Sequence, residues 1–211
     1  MAFLVFGRRV DVFIFEIENV HIGALKKLRD EGIQVVPSPD LLEIIQDKAL
    51  QKELFVRFGL KTAPFQVFQG TDEIRAAVRH GELTYPFVQK LRKGGFDGRG
   101  VAVVRGEENL EKLLDGPSLV EPLVEIAKEL AVIVARNQKG ETRTFPVVEM
   151  VFDSAANLVE KLICPSRIDD ATAKQAQNMA VRLAEATELT GILAVEFFLA
   201  RDGSLLINEV A

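Results

Sequence analysis

Apolar positions along this chain fall in short blocks whose period changes repeatedly from strand-like to helix-like. Residues 10–15 form a nearly continuous apolar run, the pattern of a strand covered on both faces. Residues 22–30 read as a helix ending before Gly32, and 33–36 as a short strand. This strand, helix, strand unit resembles the tail of an α/β domain whose beginning is missing. Pro37 and Pro39 break the chain, and 40–58 give one or two helices stopped by Gly59. A small block follows over residues 62–120. It has strands at 65–69, 87–91 and 101–104, helices at 72–79 and 107–114, and a glycine-rich loop at 94–100. From Ser118 the strands lengthen, with runs at 119–124, 129–136, 142–151 and 158–163. Residues 169–189 carry Ala176, Met179, Ala180, Leu183 and Ala184 on one helical face, capped by Asp169 or Asp170.

The last twenty residues read as two apolar arms joined by Asp202-Gly203, and the helix at 169–189 is expected to pack behind them. Asp-Gly suits the two central positions of a type I′ turn, and a two-residue loop fixes the register of the arms. Leu199 then faces Leu206, Phe197 faces Asn208, and Glu196 faces Glu209. Like charges directly opposite in a ladder are unfavourable, and unpaired burial among Leu, Val and Phe is worse. A hard divalent cation such as Mg²⁺ between the two carboxylates resolves this and leaves room for phosphate oxygens. A solvated strand end, one protonated carboxyl or an Arg partner resolves it equally well.

Composition narrows the function classes. The chain of 211 residues is 48% hydrophobic and 27% charged, enough for one large core or two small ones. A net charge of −5, with no basic run interleaved with aromatics, argues against nucleic acid as a partner. No apolar stretch reaches the roughly 18 residues needed to span a bilayer, so no membrane role is expected. The single cysteine, Cys164, excludes an internal disulfide, fits a reducing cytoplasm, and reads as a small buried hydrophobe. His21 and His80 have no metal-ligand spacing and receive no role.

The stretch Lys90-Leu-Arg-Lys-Gly-Gly-Phe-Asp-Gly-Arg-Gly100 is the most informative chemically. Its glycines let backbone N–H groups turn toward an anion, while Lys90, Arg92, Lys93 and Arg99 supply charge. It lacks the Gly-Lys-Ser/Thr ending of a Walker loop, and a strand follows it where a dinucleotide fingerprint needs a helix. A flap closing over phosphates remains, beside the plainer reading of a tolerant glycine hairpin. Lys90, on the strand, is the better fixed phosphate lysine. Pro122 places Glu121, Pro122, Leu123 and Val124 at a strand end or edge, where free backbone groups can pair with an adenine, although on this signal alone an ordinary connector between strands is the favoured reading. Lys48 on spacing alone is a surface lysine, and Glu129 can accept from ribose hydroxyls or simply be solvated.

Taken in order and spacing, four strings resemble the N5-carboxyaminoimidazole ribonucleotide synthetases, ATP-grasp carboxylases of purine biosynthesis. They are Ile45-Gln-Asp-Lys-Ala-Leu-Gln-Lys52, Leu60-Lys-Thr-Ala-Pro-Phe65, Lys93-Gly-Gly-Phe-Asp-Gly-Arg-Gly100 and Leu206-Ile-Asn-Glu-Val-Ala211. The likeness extends to Phe13-Ile-Phe-Glu-Ile-Glu-Asn-Val20 and Val195-Glu-Phe-Phe198. It implies an α+β ATP-grasp fold: the end of an α/β domain at 1–40, linking helices at 41–61, a lid at 62–120, and a larger antiparallel lobe at 121–211.

Carried over by position, the resemblance places Lys48 and Lys90 on nucleotide phosphates. Gly95, Phe96, Asp97, Gly98, Arg99, Gly100 and Val101 form the flap, and Glu121, Pro122, Leu123 and Val124 frame the adenine. Glu129 takes the ribose, Asn208 and Glu209 the triphosphate end, and Glu196 with Glu209 the Mg²⁺. ATP, bicarbonate and aminoimidazole ribonucleotide are the implied substrates, in a cytoplasmic homodimer. Phe152 stands where some members carry a nucleotide-contacting His, so that contact is not carried over. The family's glycine-rich opening and the segment past Asn208-Glu209 that helps hold bicarbonate and acceptor are absent from this sequence. The expectation is a central fragment with its ATP site. A formate-dependent glycinamide ribonucleotide transformylase and a non-catalytic nucleotide binder are the alternatives.

Overall fold

The computed structural model describes residues 2–15, 17–95, 100–153 and 158–211. In chain order the elements are α1 (Ala2–Gly7), β1 (Val12–Ile14), α2 (Ile22–Asp30), β2 (Gln34–Val36), α3 (Pro39–Ile45) and α4 (Lys48–Arg57). Then come β3 (Gln66–Phe68), α5 (Thr71–Arg79), β4 (Phe87–Leu91), β5 (Val101–Val104), a 3₁₀ turn (Glu107–Lys112) and β6 (Ser118–Pro122). The chain ends with β7 (Ile126–Arg136), β8 (Thr142–Thr144), β9 (Val148–Asp153), β10 (Leu158–Ile163), α6 (Asp170–Ala186), β11 (Gly191–Ala200) and β12 (Leu205–Val210). No helix among the described residues is long and apolar enough to cross a membrane.

Three sheets organise these elements. β1 and β2 pair in parallel, β3-β6-β4-β5 make an antiparallel sheet, and β10-β9-β7-β11-β12 make a larger antiparallel sheet with β8 added on β7. The fold is α+β, as expected. The main core lies under the large sheet. Leu130, Val132 and Val134 of β7, Leu193, Val195 and Phe197 of β11, and Leu205, Ile207 and Val210 of β12 meet the expected face of α6. Asp169 caps α6 by accepting from Thr172 N at 2.8 Å, satisfying a donor the helix leaves open. The smaller sheet has its own core, where Phe87, Val104 and Val120 pack against Ile74 and Ala77 of α5.

Several expectations need correction. The first strand is three residues long and is not covered on both faces: Phe13 is buried against Leu25, Leu28 and Leu42, whereas Val12 and Ile14, on the opposite face of the strand, are exposed. Residues 107–112 form a 3₁₀ turn in place of an α-helix. At three residues per turn, Leu110 and Leu113 fall on the same side and both reach the small core. The run 142–151 divides at Phe145 and Pro146: both halves pair with the same side of β7, but the register moves by one residue between Val134↔Thr144 and Glu129↔Met150. Cys164 is exposed. His21 acquires a task, since its Nδ1 accepts from Ala24 N and caps α2.

Candidate functional site

The final hairpin supplies the acidic side of the site, though not by the expected turn. Only Gly203 of the loop pair has positive φ, at 83°. Gly203 N donates to Ala200 O at 3.0 Å and Ala200 N to Ser204 O at 2.9 Å, so three residues form the loop. Asp202 accepts from Ser204 N, and Arg201 N is taken by Glu125 O. The arms therefore run one residue out of the expected register, with Leu199 opposite Leu205 and Phe197 opposite Ile207. An irregularity between Val195 and Phe197 then restores it, so that Val195 meets Val210. Ile207 and Val210 point to the core, leaving two residues, Asn208 and Glu209, facing Glu196. The two glutamates do share a face, through the bulge.

The face opposite the α6 core is polar, and the structure gathers the expected residues on it. Glu129, paired with Phe198, lies two residues along β7 from the position opposite Glu196. Lys48, the first residue of α4, forms an ion pair with Glu209. Lys90 reaches across from the smaller sheet to Asn208 Oδ1 at 2.8 Å, and its ammonium sits 5.5 Å from the centre of the Phe198 ring. Lys90 also pairs with Glu121 of β6 at 2.8 Å. Positive charge beside the carboxylates is thus supplied here by lysines. Glu121 and Pro122 belong to the small sheet, and Leu123 N continues its pairing onto Pro86 O.

The titration behaviour follows from this crowding. Burial pushes Glu129 up to about 7, helped by the Glu196 charge and opposed by Lys90. Burial also raises Glu196, against the pull of Lys48, Asn208 and Lys90. Burial and then the Lys90 ammonium hold Lys48 below the usual lysine value. For Glu121, burial works against the charge, but Lys90 and Lys52 outweigh it and keep the carboxyl below its ordinary value.

The glycine-rich loop is anchored at both ends of its described part. Gly100 has φ 80°, and a Cβ there would lie 2.8 Å from the Gly95 Cα, so the two glycines form a neck that no side chain fits. Phe96, Asp97, Gly98 and Arg99 lie outside the described residues. At the loop root, Arg92 grips Asp47 through two bonds of 2.9 and 2.8 Å. Lys48 N donates to Arg92 O, tying α4 to the small sheet. A cavity of about 600 Å³ opens below, lined among others by Glu18, Asn19, Lys93, Glu196 and Glu209.

Sequence reasoning missed Lys52, Gln51, Thr62 and the Asp47–Arg92 pair. Lys52 pairs with Glu121 and donates to Thr62 Oγ1 at 2.6 Å. Gln51 bonds both backbone groups of Val210, fixing the end of β12. The available signal was spacing: Lys48 and Lys52 are four apart and therefore share one side of α4.

The ATP-grasp domain family matches residues 53–211. With its two antiparallel sheets and lysines facing carboxylates across the gap, the chain belongs to the ATP-grasp family. Within it the chain is similar to the N5-carboxyaminoimidazole ribonucleotide synthases. It is 35% identical to that of Bacillus subtilis over 205 residues, 95% of this chain and 53% of the relative. The Thermotoga maritima synthetase structure superposes with TM-score 0.84 at 38% identity, covering 97% of this chain and 52% of that one. The Aspergillus clavatus synthase, solved with ADP and 5-aminoimidazole ribonucleotide, gives TM-score 0.83 at 29% identity, with 97% and 54% covered. The chain spans about half the length of these relatives.

Proposed function

We propose that this chain is the nucleotide-binding part of an ATP-dependent carboxylase. It would join bicarbonate to the exocyclic amine of 5-aminoimidazole ribonucleotide in IMP synthesis, as a cytoplasmic homodimer. The observation that supports this most is the meeting of Lys48, Lys90, Asn208, Glu196, Glu209 and Glu129 between two sheets. Similarity to synthases of that reaction supports the choice of substrates.

ATP lies between the sheets. The lid expected over residues 62–120, whose sheet runs on to Pro122, carries the flap, Gly95 to Val101, that closes over the phosphates. Backbone groups of Glu121, Pro122, Leu123 and Val124 frame the adenine, and Glu129 accepts from ribose hydroxyls. Lys48 and Lys90 neutralise phosphate charge, with Asn208 orienting Lys90 at 2.8 Å. The donor set suits Mg²⁺: Glu196, Glu209 and the Asn208 amide lie on one face, burial raises Glu196 despite the nearby lysines, and an ion held there would take phosphate oxygens as further ligands. Bound magnesium would neutralise the charge building on those oxygens.

Bicarbonate oxygen attacks the γ-phosphorus and ADP leaves, giving carboxyphosphate. The substrate amine then attacks the carboxyl carbon, inorganic phosphate leaves, and the amine proton is lost. The cavity beside Glu196 and Glu209 offers space for these partners next to the phosphate end. The test is phosphate release by the full-length protein. Release with bicarbonate plus aminoimidazole ribonucleotide supports the reading, whereas release only with formate plus glycinamide ribonucleotide replaces it with a transformylase. Glu196→Gln and Glu209→Gln should abolish the magnesium-dependent heat of ATP binding in calorimetry; heat unchanged in both removes the metal assignment.

A further inference from the structure

Lys52 takes no part in the roles above, yet it is the most buried lysine of the group, with a side chain 3% exposed against 12% for Lys90 and 19% for Lys48. An ammonium so placed is retained only with close partners. Its partners are Thr62 Oγ1 at 2.6 Å, Ile207 O at 3.5 Å and the Glu121 carboxylate. Glu121 is itself buried and stands between two lysines: one oxygen pairs with Lys52, the other with Lys90 at 2.8 Å.

We propose that Lys52 is a positioning residue for nucleotide binding, whose ammonium neutralises Glu121 so that Lys90 keeps its positive charge for a nucleotide phosphate. This rests on the reading that Lys90 meets phosphate. With Lys52 present, the three groups together carry a net single positive charge; without it Lys90 and Glu121 cancel. Glu121, held from behind, then aims the Lys90 ammonium while Asn208 and the Phe198 ring hold it from the other side. The same contacts join the lobes, since Lys52 is on α4, Glu121 on the small sheet and Ile207 on β12. Burial draws Lys52 down to about 8 and Lys90 adds to the lowering, while the Glu121 carboxylate opposes both and favours the ammonium form.

The experiment is calorimetry with ADP and with adenosine on the full-length protein. It compares wild type with Lys52→Met, Glu121→Gln, the double substitution and Lys90→Met. Lys52→Met should weaken ADP about tenfold while changing adenosine less than about twofold, because the effect acts on phosphate. Adding Glu121→Gln should bring ADP affinity back to within about threefold of wild type, since Lys90 is again uncommitted. A purely structural lysine would affect both ligands alike and would not be rescued, and either result overturns the proposal. Should Lys52→Met fail to fold, the double substitution decides: ADP affinity within about threefold of wild type supports it, and a tenfold loss overturns it. If Lys90→Met binds ADP as wild type does, the phosphate reading itself has failed and takes the proposal with it. A loss in Lys90→Met without one in Lys52→Met overturns the proposal alone.

Discussion

Glu129 offers a quantitative test of how this site is balanced without ligand. Burial, then the neighbouring Glu196, raises its carboxyl from 4.5 to about 7, with Lys90 pulling the other way. The folded state therefore binds a proton more tightly than the unfolded chain, and the sign follows. Below about pH 4.5 both states are protonated and the group is neutral to stability. As pH rises from there to about 7 the unfolded chain loses its proton first, so stability falls, and above 7 the full penalty remains. A displacement of that size corresponds to roughly 3 kcal/mol, and since the carboxyl is only partly buried about half of it, ~1.5 kcal/mol, is expected. Glu129→Gln removes the charge and keeps the shape. Urea melts at pH 5 and pH 8 should show the variant more stable than wild type by about 1.5 kcal/mol at pH 8, with the gap closing toward pH 5. Because Glu196 titrates with Glu129, the gap reports the pair. A variant equal to or weaker than wild type at pH 8 refutes the burial argument. The same substitution should weaken ATP, since a neutral amide accepts less strongly from ribose hydroxyls.

Other perturbations test the scaffold. Gly100→Ala puts a methyl group onto the Gly95 backbone at positive φ, and should cost about 1–2 kcal/mol in urea melts and weaken ADP in calorimetry. Glu149, held down to about 2 chiefly by Arg167, against burial and with help from Lys128, gives stability that is present above pH 4.5 and lost as pH falls toward 2. Glu149→Gln should cost about 2 kcal/mol at pH 7, a figure reduced for solvent screening because Arg167 is largely exposed, and the loss should shrink in acid melts as Glu149 of the wild type takes up its proton. Phe197→Ala empties a fully buried ring position between the large sheet and α6 and should lower unfolding free energy by about 3–5 kcal/mol.

The sequence reveals this fold where local pattern and tertiary need agree. α2, β4, β5 and β10 begin and end as hydrophobic period and flanking glycines or prolines dictate. The final hairpin shows the limit. Asp202-Gly203 suits a two-residue turn as well as the three-residue loop found, and the choice rests on Asp202 bonding Ser204 and on Glu125 holding the Arg201 amide. Neither partner is visible in a dipeptide preference. The expected one-to-one pairing of Glu196 with Glu209 is replaced by a bulge in which Asn208 and Glu209 together lie opposite Glu196, because apolar Ile207 and Val210 both have to reach the core. Lys52 was illegible for a different reason: a polar residue on a mixed helix reads as solvated, and its partner Glu121 is far along the chain in another sheet.

Asp47 has a consequence for the kind of attraction this site exerts. Its carboxylate accepts from the amides of Ala49 and Leu50 while gripping Arg92, so the positive pole of the helix that begins at Lys48 is already satisfied from within. An incoming anion meets side-chain ammonium groups there, since the first amides of that helix are already taken. Affinity built that way fades as ionic strength rises.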